Sequence, residues 1–160
     1  MKRQLLFSIK AMAIMCLLAL TACGSDGDGD KGFNGGGSNN SGIVGEWAAQ
    51  QMTNDESYLF MESLNLKSNG TFTIVDYEVF RSGSTITDME KDEFSGNYTA
   101  KDGVLTLAVN GQTVTYSYAV SGDVLKLMNS QGMVEYDRMT SSIREIFASA
   151  ESTYQKNFKK

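Results

Sequence analysis

The chain has 160 residues, no histidine, no proline and two cysteines, and 19 acidic side chains outnumber 14 basic ones for a net charge of −5. The lack of histidine excludes Ser–His–Asp and Cys–His catalysis and nearly all zinc and copper sites. The acidic balance argues against nucleic acid or anionic lipid as an electrostatic partner.

Residues 1–22 open with Met1-Lys2-Arg3 and continue into an apolar run from Ala11 to Leu20. This charged-then-apolar layout is that of a secretory signal peptide, too short and wrongly flanked for a lasting transmembrane helix. Leu20-Thr21-Ala22-Cys23 places small residues directly before a cysteine and resembles the lipobox of bacterial lipoproteins. The resemblance implies cleavage before Cys23, acylation of Cys23 by palmitate-type chains, and an outer-membrane lipoprotein that is periplasmic or surface-exposed. Cleavage would remove Lys2, Arg3 and Lys10 and no acid, taking the net charge to −8. It would also remove Cys16, so no disulfide is expected even in an oxidising compartment. The membrane tether is then the lipid alone, with about 0.8 kcal/mol gained per buried methylene.

Residues 23–42 hold the candidate lipidated Cys23 and a Gly/Asp/Ser/Asn-rich stretch that cannot bury enough apolar area to offset its ordering entropy, which predicts a flexible tether. Asp26, Asp28 and Asp30 suggest a calcium loop, but an EF-hand starting at Asp26 requires glycine where Lys31 stands and glutamate where Gly37 stands. The acidic run after Cys23 resembles the surface-export tag of Bacteroidetes-type lipoproteins.

From residue 43 to 140 short alternating runs are separated by turn dipeptides such as Asn69-Gly70, Asp102-Gly103 and Asn110-Gly111. Asn-Gly and Asp-Gly supply the positive φ angles that two-residue hairpins demand. The pattern predicts eight strands, near 44–52, 58–67, 71–80, 93–99, 104–109, 112–120, 124–129 and 133–139. Hairpin connection throughout makes the sheet an antiparallel meander, and eight such strands close most naturally into an up-and-down barrel. Leu105, Leu107 and Val109 share one face; Val114, Tyr116, Tyr118 and Val120 share another, and Phe94, Gly96 and Tyr98 a third. The third strand breaks the alternation, with Phe72 and Ile74 on one parity and Val75, Tyr77 and Val79 on the other, so a bulge near Val75-Asp76 is expected. Residues 81–92, with Asp88, Glu90 and Asp92, read as a solvated loop at a barrel mouth. Over 141–160 the apolar residues Ile143, Ile146, Phe147, Ala150, Tyr154 and Phe158 recur at spacings of three and four, an amphipathic helix capped by Ser141 or Ser142 and lying against the barrel's outside or across a mouth.

Gly45-x-Trp47 on the first strand and Arg138 near the end of the last resemble the signature of lipocalin-like (calycin) barrels. That resemblance covers about 43–139 and implies an all-β, eight-stranded antiparallel up-and-down barrel with a C-terminal α-helix added. It further implies that Trp47 closes one end and that Arg138 packs over its indole, an arrangement consistent with guanidinium–aromatic stacking.

Two readings of Arg138 stand side by side: a structural arginine over Trp47, or a carboxylate clamp together with Tyr136. Tyr116, Tyr118, Tyr136 and Arg138 are the candidate ligand-binding residues. Buried phenol hydroxyls need partners, and an eight-stranded barrel is just wide enough either to be filled or to hold one small ligand. Glu62, Asp76 and Glu78 interrupt apolar strands and read as outward-facing or bulge positions rather than an acid/base pair. The expectation is a small apolar or amphipathic ligand with no cofactor, no metal and no enzymatic activity. The alternative is a filled barrel that docks onto, or inhibits, an envelope protein through its mouth loops and C-terminal helix.

Overall fold

The computed structural model describes residues 42–159, so the expected signal peptide, the candidate lipidated Cys23 and the expected tether up to residue 41 lie outside the described residues. Eight strands follow one another: β1 (Gly45–Met52), β2 (Tyr58–Leu66), β3 (Thr71–Ser82), β4 (Thr85–Lys101), β5 (Val104–Val109), β6 (Gln112–Ser121), β7 (Val124–Asn129) and β8 (Gly132–Arg138), with helix α1 (Ser141–Asn157) last. Each strand pairs antiparallel with the next, and β8 returns to β1 through Trp47–Arg138 and Ala48–Asp137, closing an up-and-down barrel. Closure removes the sheet edges. At the Asp102-Gly103 and Asn110-Gly111 hairpins both residues take positive φ, between 50° and 79°, the geometry that matches the twist of the strands they join.

One face of every strand fills the barrel. Trp47, Leu64, Leu66, Phe72, Leu105 and Leu125 are at most 1% exposed, and Tyr116, Tyr136, Leu127 and Val134 pack into the same core. The chain crosses one end at Ile43, whose carbonyl accepts the Trp47 indole N–H at 2.8 Å. Near that end the Tyr98 hydroxyl donates to the Lys67 carbonyl at 2.8 Å.

Three expectations need correction. No bulge occurs at Val75-Asp76; pairing of β3 with β4 is unbroken from Thr71 to Phe80, and the register shifts at Phe80/Arg81. The two parities of β3 are both apolar because both faces are covered: Phe72 and Ile74 join the barrel core, whereas Tyr77 and Val79 lie outside with Met61 and Met89 beneath Phe147, Ala150, Tyr154 and Phe158 of the helix segment. Residues 81–92 are not a loop. They form the end of β3, a tight turn and the first half of β4, so Asp88, Glu90 and Asp92 are strand residues. Finally, Thr140 caps α1, its hydroxyl accepting from the Ile143 N–H at 3.3 Å.

Helix α1 therefore lies on the outer face of β1–β4. Arg144 pairs with Glu46 on β1 at 2.5 Å, and Glu151 takes Lys91 of β4 at 2.8 Å together with the Tyr77 hydroxyl of β3. Polar ties at both ends and an apolar strip between them fix the helix's direction across the sheet.

Candidate functional site

The two ends of the barrel differ in chemistry. At the Trp47 end, the Arg138 guanidinium lies 3.7 Å from the centre of the indole ring and donates to the carbonyls of Val44 at 3.1 Å and Gly42 at 3.3 Å. Gly45, at φ +142°, leaves the space that Nη1 of Arg138 occupies. Arg138 is thereby engaged in contacts that close the barrel, and Tyr136 turns elsewhere: its hydroxyl donates to the Glu62 carboxylate in the interior. The structure separates these two residues rather than joining them as one clamp. Tyr116 is buried in the same core and Tyr118 is partly buried against it.

Glu62 and Asp76 also depart from expectation. They face inward, not outward, at 7% and 5% exposure, and stand directly opposite each other across β2 and β3. Burial pushes both carboxyls above their ordinary range; for Asp76 the charges of Glu62, Asp92 and Glu78 add to the effect. Oδ1 of Asp76 has no hydrogen-bond partner. Burial likewise drives the Tyr136 phenol well above its usual value, with Glu62 reinforcing it, so Tyr136 is the donor throughout the neutral range.

The same inward face continues toward the opposite end. Asp76 pairs with Asp92, Glu78 with Glu90 and Phe80 with Asp88, while the Tyr58 hydroxyl donates to Glu78 at 3.2 Å. Glu78 and Asp92 are half-buried, and Glu90 and Asp88 are exposed, so the acidic ladder climbs from the core to solvent. No group of three or more such side chains among the described residues converges to hold a metal ion. The sequence did carry a signal for this ladder: strict alternation through Phe72, Ile74, Asp76, Glu78 and Phe80 places all five on one face.

Outside the barrel, α1 leaves a groove of about 370 Å³ against β2–β4. Leu59, Met61, Val79, Arg81, Ile86 and Met89 line it from the strands, and Ser142, Glu145, Ile146, Ser149, Ala150 and Thr153 from the helix. The Nε of Arg81 is buried without a hydrogen-bond partner. A smaller hollow of about 230 Å³ lies on the helix's other flank between Phe147, Val75 and Arg144. Neither feature was anticipated from sequence, because both arise from where the helix docks.

No family model matches this chain, and no curated protein matches it. Among solved structures it is similar to the crystal structure of the Cpx pathway activator NlpE from Escherichia coli, at 18% identity and a TM-score of 0.37, over 61% of this chain and 46% of that one. The chain thus spans less than half the length of that protein.

Proposed function

We propose that this chain is a lipid-anchored, lipocalin-like barrel of the outer membrane that binds a small amphipathic molecule in the groove beneath α1 and catalyses no reaction. The observation that carries the reading is the groove itself. Its volume of about 370 Å³ falls within the range of small-ligand sites, which are mostly apolar with a few fixed polar groups. Arg81 supplies a cation to a slot whose strand side is otherwise apolar and whose helix side carries Ser142, Glu145, Ser149 and Thr153, which suits an acyl chain with a polar head. The anchor rests on Leu20-Thr21-Ala22-Cys23, and the placement in the envelope follows from it.

The barrel's closed half supports the groove over the interior. A void able to hold a ligand leaves its lining accessible, yet Leu64, Leu66, Phe72, Leu105 and Leu125 are at most 1% exposed. The same filling favours the second reading, a module that recognises an envelope protein through the outer face and helix. Native mass spectrometry of the purified protein with medium-chain fatty acids separates the two. A bound mass lost in Ala150→Trp, which fills the groove, and weakened in Arg81→Gln supports the ligand site. Binding unaffected by either variant, or no bound mass at all, overturns it and leaves the interaction module. Cys23→Ala tests the anchor: release of the protein from the membrane fraction is expected, and retention of a processed form there would refute acylation.

A further inference from the structure

Closure of the barrel is uneven along β4. From Asn97 to Lys101 the strand is paired with β5, through Asn97–Ala108 to Lys101–Val104. β5 then ends at Val109 and the chain turns back at Asn110-Gly111. Among the described residues, β4 is therefore paired with β3 alone between Thr85 and Gly96. Closure removes an edge only where strands lie side by side; along this half of β4 an edge remains.

The groups on that edge follow from the period of the strand. The Tyr98 N–H donates to the Gly70 carbonyl at 2.7 Å, on the β3 side. Pairing with β3 is unbroken from there to Phe80–Asp88. Even-numbered residues thus turn their main-chain groups toward β3, and Met89, Lys91, Glu93 and Ser95 turn theirs away from it. The Met89 N–H is met by Oδ1 of Asp88, its own neighbour, at 2.8 Å, as suits a strand donor with no strand beside it. On the inward face of the same stretch Asp88, Glu90 and Asp92 form a row at alternate positions, with Asp88 and Glu90 exposed and Asp92 half-buried.

We propose that this edge of β4 takes up, as an added strand, an extended segment of another protein with lysine or arginine at every second position. Such pairing draws affinity from main-chain hydrogen bonds and selectivity from alternate side chains. Charge selects the occupant. A strand laid along β4 presents every second side chain to the row of acids. Inward-pointing charges deter a neutral or like-charged strand and favour one of opposite sign. A second copy of this chain is a poor occupant. The edge-facing groups of both copies would belong to odd-numbered residues, so the even-numbered acids would stand opposite each other, Asp88 against Asp92 in a pairing centred on Glu90. Residues 24–41 of the chain itself bring Asp26, Asp28 and Asp30 against the single Lys31 and meet the same repulsion.

The test adds a blocked peptide of about ten residues, alternating lysine and threonine, to the full chain and follows amide hydrogen exchange residue by residue. At saturation the amides of Lys91, Glu93 and Ser95 should slow about tenfold or more, with those of β7 unchanged. With lysines over the acids, the threonine main chain is the side that meets β4. N-methylation of the threonines should therefore abolish binding, and N-methylation of the lysines should spare it. Asp88→Asn/Glu90→Gln, at exposed positions, should weaken binding about tenfold. The proposal is overturned if no saturable protection appears, or if the threonine-methylated peptide binds as well as the lysine-methylated one, which would mean charge attraction without strand pairing. Protection of the same amides that rises with protein concentration in the absence of peptide would also overturn it, by giving the edge to a second copy. Ala150→Trp alters the groove on the outer face and should leave peptide binding unchanged, so the edge and the groove stand or fail separately.

Discussion

Gly45 and Arg138 share one volume: a Cβ on Gly45 would run into Nη1 of Arg138, the group that lies over Trp47 and donates to Val44. Gly45 also sits at φ +142°, where an L side chain is strained. Gly45→Ala should cost about 2–3 kcal/mol, and Arg138→Met about 2 kcal/mol through lost stacking and hydrogen bonds. The double variant should cost less than the sum, since the clash vanishes with the guanidinium. Strict additivity in urea unfolding would show that the two residues act separately.

The Glu62–Asp76 pair dictates a pH dependence whose sign is opposite to that of a surface salt bridge. Asp76 has its folded pKa raised above the ordinary 3.8, so its favourable contribution is complete below that value and is lost as the pH climbs toward the folded pKa. Glu62 acts in the same direction from its ordinary 4.5. The wild-type chain should lose stability between pH 5 and pH 9. Asp76→Asn keeps the shape without the charge and should be more stable than wild type at pH 9 by about 1–3 kcal/mol, with a smaller gap at pH 5. Parallel thermal midpoints for the two proteins across that range would show that Asp76 does not titrate in the folded barrel.

The strand order, hairpins and closed barrel were legible because each rests on local rules: turn dipeptides with positive φ, and period-two alternation on strands β5–β8 that are covered on one face only. Trp47 over Arg138 was legible through the resemblance. What misled was β3, where Val75, Tyr77 and Val79 are apolar on the face that meets α1. Alternation reports burial on either side of a sheet and cannot say which side is the barrel. Assigning the odd positions to the interior turned Asp76 outward and demanded a bulge that does not exist. The first half of β4 was hidden for a related reason: its acids have low strand propensity, and it is held extended by its pairing with β3 and by the helix that covers Met89.

Glu151 should make the docking of α1 acid-sensitive. Lys91 first, and then the Tyr77 hydroxyl, hold its carboxyl down to about 2. A depressed carboxylate contributes above its ordinary 4.5 and loses that contribution as the pH falls toward the folded value. The side chain is 36% exposed, so solvent screening limits the effect to about 0.5–1 kcal/mol. Hydrogen exchange of the α1 amides should accelerate relative to the β5–β8 core between pH 5 and pH 3, after correction for intrinsic rates, and Glu151→Gln should flatten that dependence. Equal behaviour of the variant and wild type would place the helix's attachment in its apolar strip alone.

That strip is the last and largest of these relationships. Met61, Tyr77, Val79 and Met89 are 2–4% exposed, and they cluster with Phe147, Ala150, Tyr154 and Phe158 of the helix segment rather than with the barrel core. Ending the chain at Met139 would uncover this contiguous apolar face while leaving the inward core and the Trp47–Arg138 closure untouched. An exposed apolar patch of that kind promotes association. The shortened chain should therefore keep its β circular dichroism, bind a hydrophobic dye strongly and form concentration-dependent oligomers by sedimentation. Loss of the β signal itself would mean that the helix is required to build β3 and β4 rather than to cover them. In that event the acidic ladder on their inner face would depend on α1 for its existence.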